Sequence, residues 1–168
     1  MGIGSWLRDN PRSLERAYRA THTLFEGLDP LFERIGHARL ERVLRTPEEW
    51  LKSLIFDCRM CGQCILHSTG MTCPMTCPKT LRNGPCGGVR ANGNCEVIPD
   101  MRCVWLEAYE RSRLMSEYGD EILWLQPPVN NELKDRSAWI TMLSGEDRQT
   151  PAGWEHVREL NIITDPDD

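Results

Sequence analysis

Apolar residues recur at helical spacing through the first 57 residues, in three short runs that each occupy one helical face. The runs are Leu14, Tyr18 and Phe25; Leu31, Ile35, Leu40 and Leu44; and Trp50, Leu54 and Ile55. Each run is preceded by a polar residue directly before a proline, a pair typical of a helix N-cap and the first helical position. These pairs are Asn10–Pro11, Asp29–Pro30 and Thr46–Pro47. The pattern therefore predicts a scaffold of three short helices in residues 1–57.

The same segment carries a face rich in arginine, formed by Arg34, Arg39, Arg42 and Arg45. Arginine suits fixed ion pairs and protein interfaces better than loose solvation. This face is a candidate docking surface for a larger partner, an interpretation that is compatible with the scaffold.

The helical pattern stops at residue 58, and residues 58–105 are rich in proline and glycine. Pro74, Pro78 and Pro85 exclude long regular elements. A chain of this kind cannot offset the entropy of its own ordering by hydrophobic burial. Bound metal is therefore expected to supply the missing folding free energy.

Helical spacing returns near residue 99. We predict one helix over residues 99–118, with a buried stripe formed by Trp105, Tyr109 and Leu114. A shorter helix is predicted over residues 133–143, with Trp139 and Ile140 facing inward. From residue 145 the chain is predicted to be a tail, whose few apolar anchors are Trp154, Val157 and Leu160.

These patterns divide the chain into three segments. Residues 1–57 form a helical scaffold or docking segment, residues 58–105 an eight-cysteine module, and residues 106–168 a helical segment with a tail. The predicted fold class is mainly α with an irregular, cysteine-rich metal-binding core. In this core, ferredoxin-like cluster loops are flanked by N- and C-terminal helices.

Composition and charge argue against several classes of function. The 168 residues are 40% apolar and include six tryptophans, enough to form a core. The net charge of -5 and the pI near 5.4 argue against a nucleic-acid partner, which usually meets a basic surface. No stretch approaches the ~20 apolar residues that cross a bilayer. Arg8 and Asp9 come too early for a secretory signal. We therefore expect a cytoplasmic protein that has no membrane partner.

All the cysteines fall between residues 58 and 103. They are Cys58, Cys61, Cys64, Cys73, Cys77, Cys86, Cys95 and Cys103. In a cytoplasmic protein, clustered cysteines hold metal more often than they form disulfides. Eight thiols suffice for two centres with four thiolates each, so we predict that all eight are metal ligands.

The C-x2-C-x2-C opening over residues 58–64 indicates iron–sulfur clusters, because its spacing lets successive thiolates reach different corners of one cubane. Zinc sites seldom need a third close cysteine. We therefore predict two [4Fe–4S] clusters; the alternatives are one cluster with one zinc ion, two structural zinc ions, or a disulfide framework. Eight residues separate Cys64 from Cys73 where the bacterial ferredoxin run has three, so the ferredoxin pairing of ligands does not transfer.

Several neighbours of the cysteines have more than one interpretation. Lys79 and Arg82 offset the negative charge of thiolate-bound metal, meet an acidic partner, or are ordinary solvated charges. His67 is a further candidate ligand or a structural residue. Residues 83–88 either present backbone N–H groups to a cluster or form a tight turn that delivers Cys86. Trp105 either shields a cluster from water or simply packs.

Motifs for substrate chemistry are absent from the sequence, which has no G-x-G-x-x-G, Walker or G-x-S-x-G pattern. A small domain with two clusters transfers electrons. The substrate chemistry is therefore expected on another protein, one that carries a cofactor such as flavin.

The residues between the cysteines form a specific pattern of their own. It runs as Cys58-x-x-Cys61-Gly-x-Cys64-x-Leu, Thr69-Gly70, Cys73-Pro74, Cys77-x-Lys-x-Leu-x-Asn-Gly-Pro-Cys86-Gly-Gly, Gly93-x-Cys95-Glu-Val and Cys103-x-Trp105. In this pattern the chain resembles the methylenetetrahydrofolate reductase C-terminal domain family. The resemblance covers about a third of the chain and includes every cysteine.

The resemblance implies a non-catalytic, MetV-type metal subunit beside a flavin-bearing, MetF-type reductase. It implies that flavin sits on the partner, where methylene- and methyl-tetrahydrofolate are interconverted. This chain would relay electrons between that flavin and an outside carrier such as ferredoxin or another redox protein. The alternative is a structural zinc-binding module that stabilises or positions the reductase without carrying electrons.

Overall fold

The computed structural model describes residue 7 and residues 9–154, and it is mainly helical. Its α-helices are α1 (Pro11–Ile35), α2 (His37–Phe56), α3 (Val104–Ser112) and α4 (Ala138–Leu143). Short 3-10 helices lie at His67–Thr69, Pro74–Thr76, Gly119–Leu123, Asn131–Leu133 and Glu146–Arg148. Among the described residues there is no β-strand, and an isolated antiparallel bridge joins Asn94 to Arg102. The predicted class, mainly α with an irregular cysteine-rich segment, is confirmed.

The N-terminal segment forms two long helices, so the prediction of three short ones is wrong. Pro30 and Pro47 lie inside α1 and α2 and do not start new helices. Both prolines are exposed. The carbonyl that loses its hydrogen bond to each proline is therefore close to water, which lowers the cost of continuing the helix. The break falls at Gly36, whose φ of 91° favours glycine over any other residue.

The last predicted apolar face of this segment is also only partly buried. Ile55 is half-buried, but Trp50 is 68% exposed and Leu54 is 58% exposed. The inner face of α2 is instead polar, because Glu48 and Lys52 are its buried residues. The outer face of α2 is therefore apolar and lacks a partner within the described residues.

Two buried side chains of the N-terminal half of α1, one apolar and one charged, attach it to the rest of the chain. Leu14 joins a buried cluster with Leu66, Met71 and Cys73. The adjacent Glu15 is 3% exposed, and its carboxylate accepts backbone N–H bonds from residues 116, 117 and 118 at 2.8–3.2 Å. Burial opposes the charge of Glu15, but these donors hold its pKa below the ordinary value.

The helix predicted over residues 99–118 is shorter than expected, and its buried stripe differs. Trp105 is buried, whereas Tyr109 and Leu114 are 47% and 49% exposed. The buried residues of α3 are Val104, Trp105, Ala108 and Ser112. Small side chains are needed on this face because the backbone of Gly70 lies against it. A Cβ at Gly70 would come within 2.3 Å of the Ala108 carbonyl oxygen.

The C-terminal part of the described chain packs α4 against α1. Ile140 is fully buried, and the half-buried Trp139 ring contacts Phe25 at a centroid distance of 4.8 Å. Ser137 caps the helix by accepting the Ile140 N–H. The predicted anchors Val157 and Leu160 lie outside the described residues. No helix in residues 7 and 9–154 is both long and apolar enough to span a bilayer.

Replacing Glu15 by Gln tests the attachment of α1. We expect the free energy of unfolding to fall by about 2 kcal/mol, because a charged acceptor of several buried N–H groups is lost. The pKa of Glu15 is depressed in the folded state, so its contribution is complete above the unfolded-state pKa. It is lost as the pH falls through the folded-state pKa. The difference between wild type and variant in denaturant titrations should therefore shrink on acidification.

Glu33→Gln is the matched control, since Glu33 lies on the same helix and is exposed. It should leave the unfolding midpoint unchanged. Equal stabilities for Glu15→Gln and wild type at neutral pH would contradict the assigned role of Glu15.

Candidate metal centres

The structure divides the eight cysteines between two separate cavities, four in each. The first cavity is lined by Cys58, Cys61, Cys64 and Cys73. The second is lined by Cys77, Cys86, Cys95 and Cys103. All eight thiols are free, so no disulfide framework is present. The sequence predicted two groups of four without saying which cysteines share a group, and the fold separates them in chain order.

The loop that carries the first three thiols begins where α2 ends. Asp57 and Met60 have φ values of 52° and 44°, a left-handed conformation that turns the chain sharply at each point. The turn brings Cys58 under the last turn of α2, where the Met60 N–H donates to Cys58 Sγ at 3.4 Å. The loop thus curls around the first cavity.

The same loop is held from outside by the segment that precedes and begins α4. Gly62 has a φ of 73°, and a Cβ there would lie 2.2 Å from the Leu133 carbonyl oxygen. The Thr141 hydroxyl donates to the Gly62 carbonyl at 2.5 Å, and the Asp135 N–H donates to the Met60 carbonyl at 2.8 Å. Glycine is therefore required at position 62 by both conformation and space.

Cys73 completes the first group and leads directly to the second. It is 8% exposed and packs with Leu66 and Met71. The single 3-10 turn Pro74–Thr76 follows it, and Cys77 comes next. The Cys77 N–H donates to the Pro74 carbonyl at 3.1 Å. One short turn therefore joins the two cavities.

The second group depends on a small hairpin around the Asn94–Arg102 bridge. The Cys95 N–H donates to the Met101 carbonyl at 2.8 Å, and the Cys103 N–H donates to the Gly93 carbonyl at 3.0 Å. These bonds place Cys95 and Cys103 on facing arms of the hairpin. Cys86 approaches from the glycine-rich loop and is exposed, with the Gly88 N–H donating to its Sγ at 3.4 Å.

Burial controls the protonation of the first group. It raises the pKa of Cys58 to about 11 and the pKa of Cys73 to about 12, and it also raises the pKa of Cys61. These thiols are protonated near neutral pH unless an electropositive group binds them. Metal binding at this cavity therefore has to release protons.

Three cationic side chains line the first cavity: Lys52, Arg82 and Arg136. Lys52 is 7% exposed and donates to Glu48 Oε1 at 2.5 Å. Arg136 pairs with Glu41 at 3.0 Å and also with Glu146. Two of the three positive charges are therefore balanced by carboxylates.

Arg82 is different, since it is 7% exposed and its Nε is buried without a hydrogen-bond partner. Its Nη1 donates to the Gln63 carbonyl at 3.1 Å. Burial lowers the pKa of Arg82, while the neighbouring thiols of Cys61 and Cys64 favour its charge. Lys79, by contrast, is exposed and pairs with Glu96 beside the second cavity. The two cations that the sequence grouped together thus have different environments.

The other neighbours singled out by the sequence are also placed. His67 lines neither cysteine cavity; its Nδ1 lies 2.5 Å from Glu121 Oε2. Trp105 lines the second cavity and donates from its indole nitrogen to the Leu81 carbonyl at 3.2 Å. The side-chain amide of Asn83 makes two hydrogen bonds of 2.7 Å with the backbone of Gln126. The glycine-rich loop is therefore fixed at its start and presents one N–H to a cysteine sulfur.

Sequence reasoning missed three buried polar residues at the first cavity: Glu48, Lys52 and Gln63. The i,i+4 spacing of Glu48 and Lys52 was an available signal, because it places them on one face of α2. Nothing in the sequence indicated Gln63, which is 2% exposed and bonded to Asp147 and Asn130. These residues make the wall of the cavity polar and rigid.

The donor sets suit thiolate-bound metal. Each cavity supplies four thiols, and the first adds a buried guanidinium nitrogen that needs an acceptor. In residues 7 and 9–154, no group of three or more His, Cys, Asp or Glu side chains is placed so that it could hold a metal ion. The cysteines are therefore assigned to centres by the cavity that they line.

Comparison with known proteins gives one match. The model of a family described as methylene-tetrahydrofolate reductase C terminal matches residues 37–132, more than half of the chain. The matched region begins at the first residue of α2 and includes all eight cysteines. No curated protein matches, and no solved structure matches.

The division into two groups can be tested by counting metal in cysteine variants. Cys61→Ser and Cys86→Ser should each lose about half of the bound metal, because each removes a ligand from a different cavity. Cys58→Ser/Cys61→Ser should lose no more than Cys61→Ser alone. Cys61→Ser/Cys86→Ser should lose nearly all. Elemental analysis of anaerobically purified protein measures each case.

The matched comparison is between the two double variants, which remove the same number of thiols. Equal metal loss in both would contradict the division. Full metal content in Cys61→Ser would remove Cys61 from the ligand set.

Proposed function

This chain belongs to the methylene-tetrahydrofolate reductase C-terminal family, and we propose that it is the iron–sulfur electron-transfer subunit of such a reductase complex. The observation that carries the proposal is the pair of neighbouring cavities, each lined by four cysteines. Two [4Fe–4S] clusters, when bound there, supply one-electron redox steps. The C-x2-C-x2-C spacing of residues 58–64 favours clusters over zinc.

The two cavities differ in exposure, and this difference supports the proposed relay. The first lies beneath α2, and its Cys73 is buried. The second contains the exposed Cys86 and lies beside a loop whose Val97 and Ile98 are 52% and 44% exposed. The second cavity is thus suited to exchange electrons with an outside carrier such as ferredoxin. At the first cavity Cys73 is buried, and Cys58, Cys61 and Cys64 are partly buried.

The flavin chemistry belongs to a partner in this proposal, which is the reductase subunit that converts the folate. The outer face of α2 is the surface that suits such a partner. Val43, Trp50 and Leu54 are 69%, 68% and 58% exposed and fall on one stripe at i, i+7 and i+11. Arg39, Arg42 and Arg45 are exposed on the same helix. The expected counterpart is an apolar groove with an acidic rim.

A structural zinc module is the second candidate, and one observation favours it. The first cavity is walled by α2, the loop of residues 58–64 and the start of α4, so any metal there joins distant parts of the chain. A zinc ion would stabilise this junction without redox chemistry. The two candidates differ in metal, colour and response to reductant.

Metal analysis and an absorption spectrum of anaerobically purified protein decide between them. We expect about eight irons per chain with equal sulfide, the content of two [4Fe–4S] clusters. A broad visible absorption should bleach with dithionite. Zinc in a colourless protein would overturn electron transfer and leave the structural module.

Trp50→Asp tests the docking surface. Trp50 is mostly exposed, so the change should leave folding and metal content intact while placing a charge in the apolar stripe. Loss of a central tryptophan typically costs about 2 kcal/mol or more of binding free energy, which is about a 30-fold weaker Kd. Co-purification with the flavoprotein, followed by calorimetric titration, measures the change.

Leu123→Asp is the matched control, because Leu123 is 80% exposed outside α2. It should bind the flavoprotein as wild type does. Unchanged affinity in Trp50→Asp would show that the partner docks elsewhere.

A further inference from the structure

Arg82 carries a buried positive charge that makes no direct ion pair with a carboxylate among the described residues, although the carboxylate of Asp147 interacts with it at longer range. It is 7% exposed, and its Nε is buried without a hydrogen-bond acceptor. A buried cation is costly unless an anion faces it. The anion expected here is the bound metal centre with its four thiolates, since Arg82 lines the same cavity as Cys58, Cys61, Cys64 and Cys73.

The neighbours of Arg82 fix its position. The Leu81 carbonyl accepts from the Trp105 indole at 3.2 Å, and Asn83 is clamped to Gln126 by two bonds of 2.7 Å. Arg82 itself donates to the Gln63 carbonyl, between Gly62 and Cys64. The chain on both sides of Arg82 is therefore held in place, and the guanidinium reaches the loop that carries the first three thiols.

The other cations of the cavity provide a contrast. Lys52 is neutralised by Glu48 at 2.5 Å, and Arg136 by Glu41 and Glu146. The groups that favour the charged form of Arg82 are the thiols of Cys61, Cys64 and Cys73. Arg82 is thus the cation of this cavity that makes no direct ion pair, and the thiols of Cys61, Cys64 and Cys73 are its main electrostatic neighbours.

We infer that Arg82 sets the reduction potential of the centre held by Cys58, Cys61, Cys64 and Cys73, through its buried charge and its free Nε–H donor. The inference rests on the proposed function, because it requires a redox-active centre. A fixed positive charge and a hydrogen bond to sulfur both stabilise the reduced, more negative state. The centre in the second cavity, which Arg82 does not line, should be unaffected.

The test is a potentiometric titration of the intact, metal-loaded protein, followed by absorption and electron paramagnetic resonance. The wave that disappears in Cys61→Ser identifies the first centre. In Arg82→Gln this wave should move to more negative potential, and the other wave should stay in place. At the wild-type midpoint we expect the ratio of reduced to oxidised centre to fall about tenfold, which is about 59 mV for one electron.

Arg59→Gln is the matched control. Arg59 lies in the same loop, next to Cys58, but its side chain is 60% exposed. It removes the same formal charge from a solvated position, so both waves should keep their potentials. Arg82→Lys retains the buried charge, so the potential of the first wave should stay near the wild-type value.

The outcomes separate the inference from the proposed function. If iron and both waves are present and the first wave does not move in Arg82→Gln, the inference fails and the relay stands. If the protein holds only zinc, both fail. If Arg82→Gln does not load metal, Arg82→Lys decides. Loading with a near-wild-type potential supports the role of charge, and failure to load overturns it in favour of a purely structural guanidinium.

Discussion

The placing of four partly or fully buried thiols together with buried positive charge beneath α2 is the constraint on which the rest of the structure depends. Cys58, Cys61, Cys64 and Cys73 line one cavity with Lys52 and Arg82, and both cations are about 7% exposed. Charges in such a place are tolerated only when they are paired. Glu48 provides that pairing for Lys52, and the Ser137 hydroxyl holds the other oxygen of Glu48 at 2.5 Å. The arrangement connects α2 to the cap of α4.

This constraint explains an unusual feature of α2, which buries polar residues and exposes apolar ones. The inner face of α2 supplies Glu48 and Lys52 to the cavity, so its apolar residues Val43 and Trp50 face outward. An isolated helix with an exposed tryptophan and valine would be a liability for solubility. In the complex that we propose, the same residues form the interface with the reductase. The polar wall of the first cavity and the exposed apolar stripe are thus opposite faces of the same helix, α2.

The sequence predicted the class of the fold, which the structure confirms, and it named eight candidate ligands, which remain a prediction; both follow from local patterns. Helical spacing and cysteine spacing need no knowledge of distant contacts. The errors arose where exposure to solvent or a contact with a distant residue determined the local structure. Pro30 and Pro47 lie inside their helices because both positions are exposed. The sequence pattern does not indicate that exposure. Tyr109 and Leu114 fit a helical stripe, but the close approach of Gly70 selected Ala108 and Ser112 for the buried side of α3.

The division of the cysteines could not be predicted, because it depends on contacts between residues far apart in the chain. The loop of residues 58–64 closes on Cys73 only where Leu133 and Thr141 hold Gly62 from behind. Cys95 and Cys103 come together through a hairpin bridge that no strand pattern in the sequence predicts. In the function that we propose, metal ligation makes such arrangements favourable, since metal binds the folded loop and not the unfolded chain. The protons held by the buried thiols then oppose ligation, and the unpaired charge of Arg82 opposes folding without it. In the function that we propose, each cost is removed by the same event, the binding of a thiolate-coordinated centre in the first cavity. Folding of the loops, release of protons and neutralisation of Arg82 are therefore expected to be one coupled process.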